Sequence, residues 1–223
     1  MMHNNNLLIK IGALAGIAAC AGDIIMTLVM GNLYPGYNQF TDTMSKLGAS
    51  HSPVGKTISC WWIIMSFLFL IMALGFRARF HINRNGIRLS FWLILLYGFG
   101  EGMGSGVFPA DHIPNGLTIS LIVHNALGGI GIAAIIILPF ILKSEPPFSF
   151  SNTFKVLSRI VSCFGPILLL LFTLAKLPET TNCCIFIYRG LWQRLLMLNY
   201  YVYLVAIAIM IWKTPVTEKT GIG

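Results

Sequence analysis

The chain has 223 residues, of which 56% are hydrophobic and only 10% are charged, and its formal net charge is +8. A soluble domain carries about 25% charged residues, so this composition excludes an ordinary soluble domain and indicates a membrane protein. The basic residues concentrate in alternate connections between apolar segments, which argues against a nucleic-acid surface.

Apolar stretches of about 20 residues predict transmembrane helices, because a helix of that length crosses a bilayer core of about 30 Å. They cover residues 7–30, 57–76, 87–107, 117–142, 156–175 and 191–212. The connections between them are too short to hold a soluble domain. We therefore predict an all-α, polytopic membrane protein in which residues 1–223 form a single bundle of six transmembrane helices.

The distribution of basic residues predicts the orientation of this bundle. Most of the 15 lysines and arginines lie on the side that also holds both termini. The positive-inside rule then puts both termini in the cytoplasm, and we expect a multi-pass protein of the bacterial inner (cytoplasmic) membrane. Basic residues beside the inner leaflet favour anionic lipid head groups. We expect membrane lipids and no nucleic acid as partners, and we leave a homo-oligomer open.

The first predicted span allows a second interpretation. Ile17-Ala18-Ala19-Cys20 resembles a bacterial lipoprotein processing box, which would make residues 7–19 a cleaved signal peptide. The apolar run continues to Met30, the length of a full span, and this favours an uncleaved helix. We expect most cysteines to pack as small apolar residues, and an external disulfide through Cys183 or Cys184 stays open.

The connection after the first span is the longest of the predicted outer connections. Its later part, residues 42–48, predicts a short helix that is capped by Asp42 and ended by Gly48. Connections of this length without a regular element are often functional or disordered.

Glycines recur at the end of the third predicted span and fall on two stripes of a helix: Gly98, Gly102 and Gly106 on one, Gly100 and Gly104 on the other. Small residues four apart let helices approach closely in a bilayer, so we predict a tight contact with the fourth span. That span carries Gly128, Gly129 and Gly131. A second interpretation is that the missing side chains leave room for a ligand or unwind the helix around Glu101.

Three ionisable residues inside the spans point to a site. Asp23, Glu101 and His124 each lie seven or eight positions from the same end of the bundle, on the order of 10–12 Å deep at 1.5 Å per residue. A charge in hydrocarbon is costly and usually faces a bundle interior or a wet cavity. The flanking polar residues widen the candidate set: Ser45, Asp111, His112, Gln193 and Arg194.

Several chemistries fit this set. Two carboxylates and an imidazole suit general acid–base catalysis or proton relay. A metal could be held by the two acids with His124, or by His124 with Asp111 and His112, but no HxxxH or HExxH pair supports it. A Ser–His–acid arrangement through Ser45 lacks the glycines of a nucleophile elbow. We expect no metal and no cofactor.

Five short motifs carry a resemblance to a known family: Pro35-Gly36-Tyr37, Met44-Ser45-Lys46-Leu47-Gly48-Ala49 with Pro53, Gly106-Val107-Phe108-Pro109-Ala110-Asp111, His124, and Gly190-Leu191-Trp192-Gln193-Arg194. In this order they resemble the six-helix membrane family known as domain of unknown function 998. The resemblance implies that fold and a shared outer-face cluster of Ser45, Asp111, His124, Gln193 and Arg194, without an established activity.

The chain also departs from the family pattern. Lys46 stands where the family tends to carry an acid, and Asp23 and Glu101 are not part of the signature. More distantly, the Ser-x-x-Gly segment after the first helix is similar to membrane proteins of the Frag1, DRAM and Sfk1 type.

The leading hypothesis is a pocket in the outer half of the bundle that binds or processes a lipid or lipid-linked substrate; whether it is an enzyme stays open. His124 would act as acid or base, oriented by Asp111 or Glu101, with Ser45 as a further catalytic candidate. The residues expected to bind the substrate are Arg194, which would hold an anionic head group, Gln193 and Asp23.

Two alternatives remain. The first is a proton-coupled small-solute transporter or channel that relays protons through Asp23, Glu101 and His124. The second is a structural or assembly protein without chemistry, in which every acid would be paired and no cavity would be present.

Overall fold

The computed structural model describes residues 2–80, 84–113, 116–177 and 184–214, and this part of the chain is almost wholly helical. The α-helices in chain order are α1 (Met2–Leu33), α2 (Gly55–Arg79), α3 (Asn85–Tyr97), α4 (Gly104–Val107), α5 (Ile119–Leu142), α6 (Asn152–Leu174), α7 (Cys184–Ile187) and α8 (Arg189–Lys213). The predicted all-α class is confirmed. The additions are the two-residue strands β1 (His112–Ile113) and β2 (Gly116–Leu117), which pair antiparallel.

Five helices in the described part are long and apolar enough to cross a membrane: α1, α2, α5, α6 and α8. Helix α1 packs against α2 and α8, and these three contribute most of the buried core. Helix α6 packs on α8 and α5 and is the most peripheral of the five, with 17% of its apolar window buried.

The third predicted span is helical but divided into three segments. Helix α3 runs into a π-helix, Gly98–Met103, which continues directly into α4. A π-helix widens the turn to an i→i+5 hydrogen bond and is common at functional sites. Alternate glycines through this stretch leave the backbone few side chains to accommodate when the turn widens. Glu101 lies within the π-helix.

The two glycine stripes of this segment face two different helices. A Cβ atom on Gly100 would lie 2.5 Å from the carbonyl oxygen of Leu127 in α5. A Cβ atom on Gly102 would lie 2.8 Å from the carbonyl oxygen of Trp62 in α2. The predicted close contact with the fourth span is therefore confirmed, and a second close contact with α2 accompanies it.

The connection between α1 and α2 carries the predicted short helix as a 3-10 helix, Met44–Gly48. The predicted cap is wrong, because the N-cap is Thr43 and makes no side-chain cap bond. Asp42 instead accepts hydrogen bonds from the Asn38 N–H (2.9 Å) and from Lys46 Nζ (2.8 Å). Partial burial would raise the pKa of the Asp42 carboxyl, but these two bonds and the charges of Lys46 and Arg189 outweigh it and lower that pKa below its usual value. We call the end of the bundle that carries this 3-10 helix, Met44–Gly48, the Ser45 face.

The cysteine predictions are tested in part. Cys20, Cys60 and Cys163 are free thiols. Cys20 is buried within α1, which runs unbroken through it, whereas Cys60 and Cys163 are exposed, so the predicted packing role is confirmed for Cys20 and wrong for the other two. Cys183 and the side chains of Cys184 and His112 lie outside the described residues.

Candidate functional site

A cavity of about 470 Å³ lies at the Ser45 face, between the 3-10 helix, the π-helix and the ends of the long helices. Asp23, Glu101 and His124 all line it, together with Ser45 and Gln193. The three residues predicted to share one depth in three different spans are therefore brought to one cavity. Their individual roles stay predictions.

His124 is held between two connections by both of its ring nitrogens. Its Nδ1 lies 2.9 Å from the carbonyl oxygen of Phe108, and its Nε2 lies 3.3 Å from the hydroxyl of Ser45. A carbonyl oxygen can only accept, so Nδ1 carries the hydrogen, and in the neutral ring Nε2 accepts from Ser45. The predicted orienting group was a carboxylate of Asp111 or Glu101; the carbonyl of Phe108 occupies that position on the ring.

Asp111 and Gln193 fix the chain segments around this pair. The carboxylate of Asp111 accepts from both the backbone N–H (2.7 Å) and the hydroxyl of Ser50. The side-chain oxygen of Gln193 accepts from the Met44 N–H at 2.7 Å. These contacts attach the segment that carries Ser45 to α8 and to the connection that follows α4.

Asp23 is 1% exposed and is bound by aromatic donors. One carboxylate oxygen accepts from the indole N–H of Trp61 (3.2 Å) and of Trp62 (3.1 Å), and the other accepts from the Tyr201 hydroxyl (2.6 Å). These donors satisfy the buried carboxylate, which is how a polar group is usually stabilised away from water.

Glu101 differs from Asp23 because its carboxylate has no hydrogen-bond or salt-bridge partner among the described residues. The π-helix presents it to the cavity beside α5, where a Cβ on Gly128 would lie 3.5 Å from its Oε1 and one on Gly131 would lie 3.2 Å from its Cγ. The α5 glycines therefore make room for Glu101.

Lys176, which follows α6, also lines the cavity, and its Nζ lies 4.3 Å from the centroid of the Phe172 ring. It is the one lysine or arginine among the cavity-lining residues of the described part. Lys176 is not among the predicted site residues; the available signal was its place directly after the fifth predicted span, at the same end of the bundle as the acids.

Arg194 is bound to the connection between α1 and α2. One terminal nitrogen donates to the Tyr37 hydroxyl (2.6 Å) and to Gln39 Oε1 (2.5 Å), and the other donates to the carbonyl oxygens of Asp42 and Gly190 (3.1 Å each). Burial raises the pKa of Tyr37, although the Arg194 charge acts to lower it, so the phenol stays a neutral acceptor. Arg194 borders a smaller pocket that it shares with Asp23.

Replacing Arg194 with Gln is expected to loosen this connection, because the three hydrogen bonds that hold it, to Tyr37, Gln39 and the Asp42 carbonyl, are removed at once. Limited proteolysis should then cleave within residues 34–54 several times faster than in the wild type. Arg189→Gln is the matched control, since Arg189 makes a single bond of 3.1 Å to the Thr41 carbonyl. If Arg194→Gln lost bound lipid without faster cleavage, Arg194 would act as a ligand for a head group instead.

Several contacts of the site have no signal in the sequence. Trp61, Trp62 and Tyr201 occupy apolar helices and have the composition of ordinary packing residues. The Phe108 carbonyl is a backbone group.

Within the described residues, no three His, Cys, Asp or Glu side chains group as metal ligands.

Apolar spanning helices around a cavity that carries ionisable residues define a multi-pass, all-helical membrane protein. The chain belongs to the DUF998 family, described as a protein family of unknown function, whose model matches residues 17–210. Comparison with curated proteins and with solved structures gives no match. The more distant resemblance to the Frag1, DRAM and Sfk1 type stays a prediction.

Proposed function

We propose that the chain crosses the bacterial inner membrane six times with both termini in the cytoplasm, so that the Ser45 face is external. The third crossing is the segment 85–107, which extends about 35 Å at 1.5 Å per residue. This exceeds the hydrocarbon core of about 30 Å. The basic residues of the opposite face support this orientation.

We further propose that the cavity binds a membrane lipid of the outer leaflet. The observation that carries this proposal is the division of the cavity into a polar end and an apolar length. Its lining follows α5 from Asn125 to Ile136, about 16 Å at 1.5 Å per residue. That depth is about half of the hydrocarbon core, the space that one leaflet occupies. Leu169 and Phe172 of α6 supply the facing apolar wall.

The two alternatives account for less of this geometry. A purely structural polar layer predicts paired acids and no cavity, whereas Glu101 has no hydrogen-bond or salt-bridge partner among the described residues and borders a cavity of about 470 Å³. Proton-coupled transport needs a polar path that continues to the opposite face. The deep end of the cavity is lined by Met65, Ile136 and Leu169, which favours an acyl chain over a proton path.

Gly129→Phe is expected to remove lipid binding by filling the cavity. Gly129 lines the cavity and has no atom within 4 Å of the place where a Cβ would lie, so the helix tolerates the larger side chain. Native mass spectrometry of gently extracted protein should show at least tenfold less bound lipid than in the wild type.

The neighbouring substitution Ile130→Phe is the matched control for this experiment. Ile130 is 50% exposed and does not line the cavity, so this variant adds an aromatic ring to the same helix without filling the site. Equal lipid content in wild type and Gly129→Phe, with both variants folded, would contradict the proposal.

A further inference from the structure

We propose that Ser45 and His124 form a nucleophile–base pair that cleaves the carboxylic ester of a membrane lipid. This inference rests on the proposed lipid site and names its reaction. Ser45 is half-buried, His124 is buried, and both line the same cavity. A hydroxyl becomes a useful nucleophile when an adjacent base takes its proton and a third group orients that base.

The hydrogen bonds set the roles of the two residues. Because Nδ1 donates to the Phe108 carbonyl, the lone pair of neutral His124 lies on Nε2, the atom next to the Ser45 hydroxyl. The Ser45 Oγ to Nε2 distance of 3.3 Å is slightly longer than the usual range of about 2.6–3.2 Å for such pairs, which are often looser before substrate binds. The Phe108 carbonyl fills the place that an acid holds in a triad, since it fixes the tautomer and faces the imidazolium that forms.

Other hydrogen bonds of the site hold Ser45 and His124 in place relative to each other. Ser45 and the Phe108 carbonyl belong to different connections, and the Asp111–Ser50 contact joins those connections. The Gln193 side-chain oxygen holds the Met44 N–H, and this leaves the Gln193 NH₂ group as a donor in the same cavity. Such a donor can stabilise the negative oxygen of a tetrahedral intermediate.

The charges of the cavity favour a neutral ester over a phosphate as the reacting group. Two acids, Asp23 and Glu101, line it against one cation, Lys176. The terminal nitrogens of Arg194 are occupied by the connection between α1 and α2. Ser45 lies at the loop end of the cavity, beside the interfacial region where the ester carbonyls of a bilayer lipid lie.

The reaction balances with water as co-reactant. Ser45 Oγ attacks the ester carbonyl carbon while its proton passes to His124 Nε2. The tetrahedral intermediate expels the alcohol, which takes the proton from Nε2, and an acyl-Ser45 ester remains. Water then attacks this ester with His124 as base, and the free carboxylic acid leaves as Ser45 regains its proton.

A fluorophosphonate probe tests the pair in the full-length protein. In detergent or in membranes the wild type should form one covalent phosphonate, which peptide mass spectrometry places on Ser45. Ser45→Ala should abolish the adduct, and His124→Gln should slow its formation at least 100-fold, because the general base is lost. Ser162→Ala is the control for an embedded hydroxyl outside the cavity, bonded to the Ser158 carbonyl at 2.7 Å, and should label like the wild type.

Asp111 acts on this pair as a positioning residue. Asp111→Ala should slow labelling about tenfold, and Asp111→Asn, which keeps an acceptor for the Ser50 N–H, should recover most of the rate. Equal losses in the two variants would indicate that Asp111 does not act through that contact.

The labelling outcomes separate this inference from the proposed lipid site. Absence of label at Ser45 in wild-type protein that retains bound lipid overturns the Ser45–His124 pair and leaves lipid binding standing. Label at Ser45 with an unchanged rate in folded His124→Gln overturns the role of His124. Protein that carries neither label nor lipid contradicts both proposals.

Discussion

Asp23→Ala is expected to lower the free energy of unfolding by about 2–4 kcal/mol, because it leaves three buried donors without their acceptor. The indole N–H groups of Trp61 and Trp62 and the Tyr201 hydroxyl all bond to this one carboxylate. Trp62 and Tyr201 are buried like Asp23, and leaving a buried donor without its acceptor costs free energy. The measurement is reversible chemical unfolding of wild type and variant in the same detergent.

Asp23→Asn is the control that separates structure from chemistry. It keeps the shape of the side chain and one acceptor oxygen, so we expect less than half of the loss in Asp23→Ala. A loss of lipid binding in Asp23→Asn at nearly wild-type stability would instead give Asp23 a direct part in the site. Equal stability of Asp23→Ala and wild type would show that the three hydrogen bonds do not support the fold.

The position of the site could be predicted from the sequence because a helix converts residue number into depth. Asp23, Glu101 and His124 lie at similar distances from the ends of their spans, and a rise of 1.5 Å per residue puts them in one layer. The cavity that all three line agrees with that calculation. Depth along a helix does not determine rotation about its axis, so the partners of each side chain were not predicted.

The contacts of His124 illustrate this limit. Ser45 is 79 positions away in the sequence, and the contact with Phe108 is made by a backbone carbonyl that any residue could supply. The aromatic donors around Asp23 could not be predicted from the sequence either, because tryptophan and tyrosine in a span are common as packing residues. In an apolar sequence the charged residues can be identified as candidate site residues, whereas their neutral hydrogen-bond partners cannot be told apart from packing residues.

The π-helix could be predicted from the sequence only in part. The alternate glycines from Gly98 to Gly106 predicted a close helix contact, and unwinding around Glu101 was the second interpretation. The structure shows both the close helix contact and a change of helix type around Glu101. Gly100 brings the backbone against α5, and the widened turn places Glu101 beside the α5 glycines at the cavity. Residue types do not encode the change of hydrogen-bond register, so its form was visible only in the structure.

Gly100→Ala therefore tests how far the site depends on this close approach. Its Cβ would lie 2.5 Å from the Leu127 carbonyl oxygen and 2.8 Å from the Gly131 backbone nitrogen, atoms that cannot rotate away. We expect a loss of about 1–3 kcal/mol in the free energy of unfolding, the usual result of overpacking. Gly129→Ala is the matched control on α5, where nothing lies within 4 Å, and should be neutral or slightly stabilising.

The two glycine variants also differ in what they do to the cavity. Moving the π-helix away from α5 displaces Glu101, so Gly100→Ala should bind less lipid even in the fraction that stays folded, whereas Gly129→Ala should retain it. Unfolding titrations in detergent and native mass spectrometry on the same preparations measure both effects. A Gly100→Ala protein as stable as Gly129→Ala would mean that α5 yields at this contact, and the glycines would then serve the shape of the cavity more than the packing of the bundle.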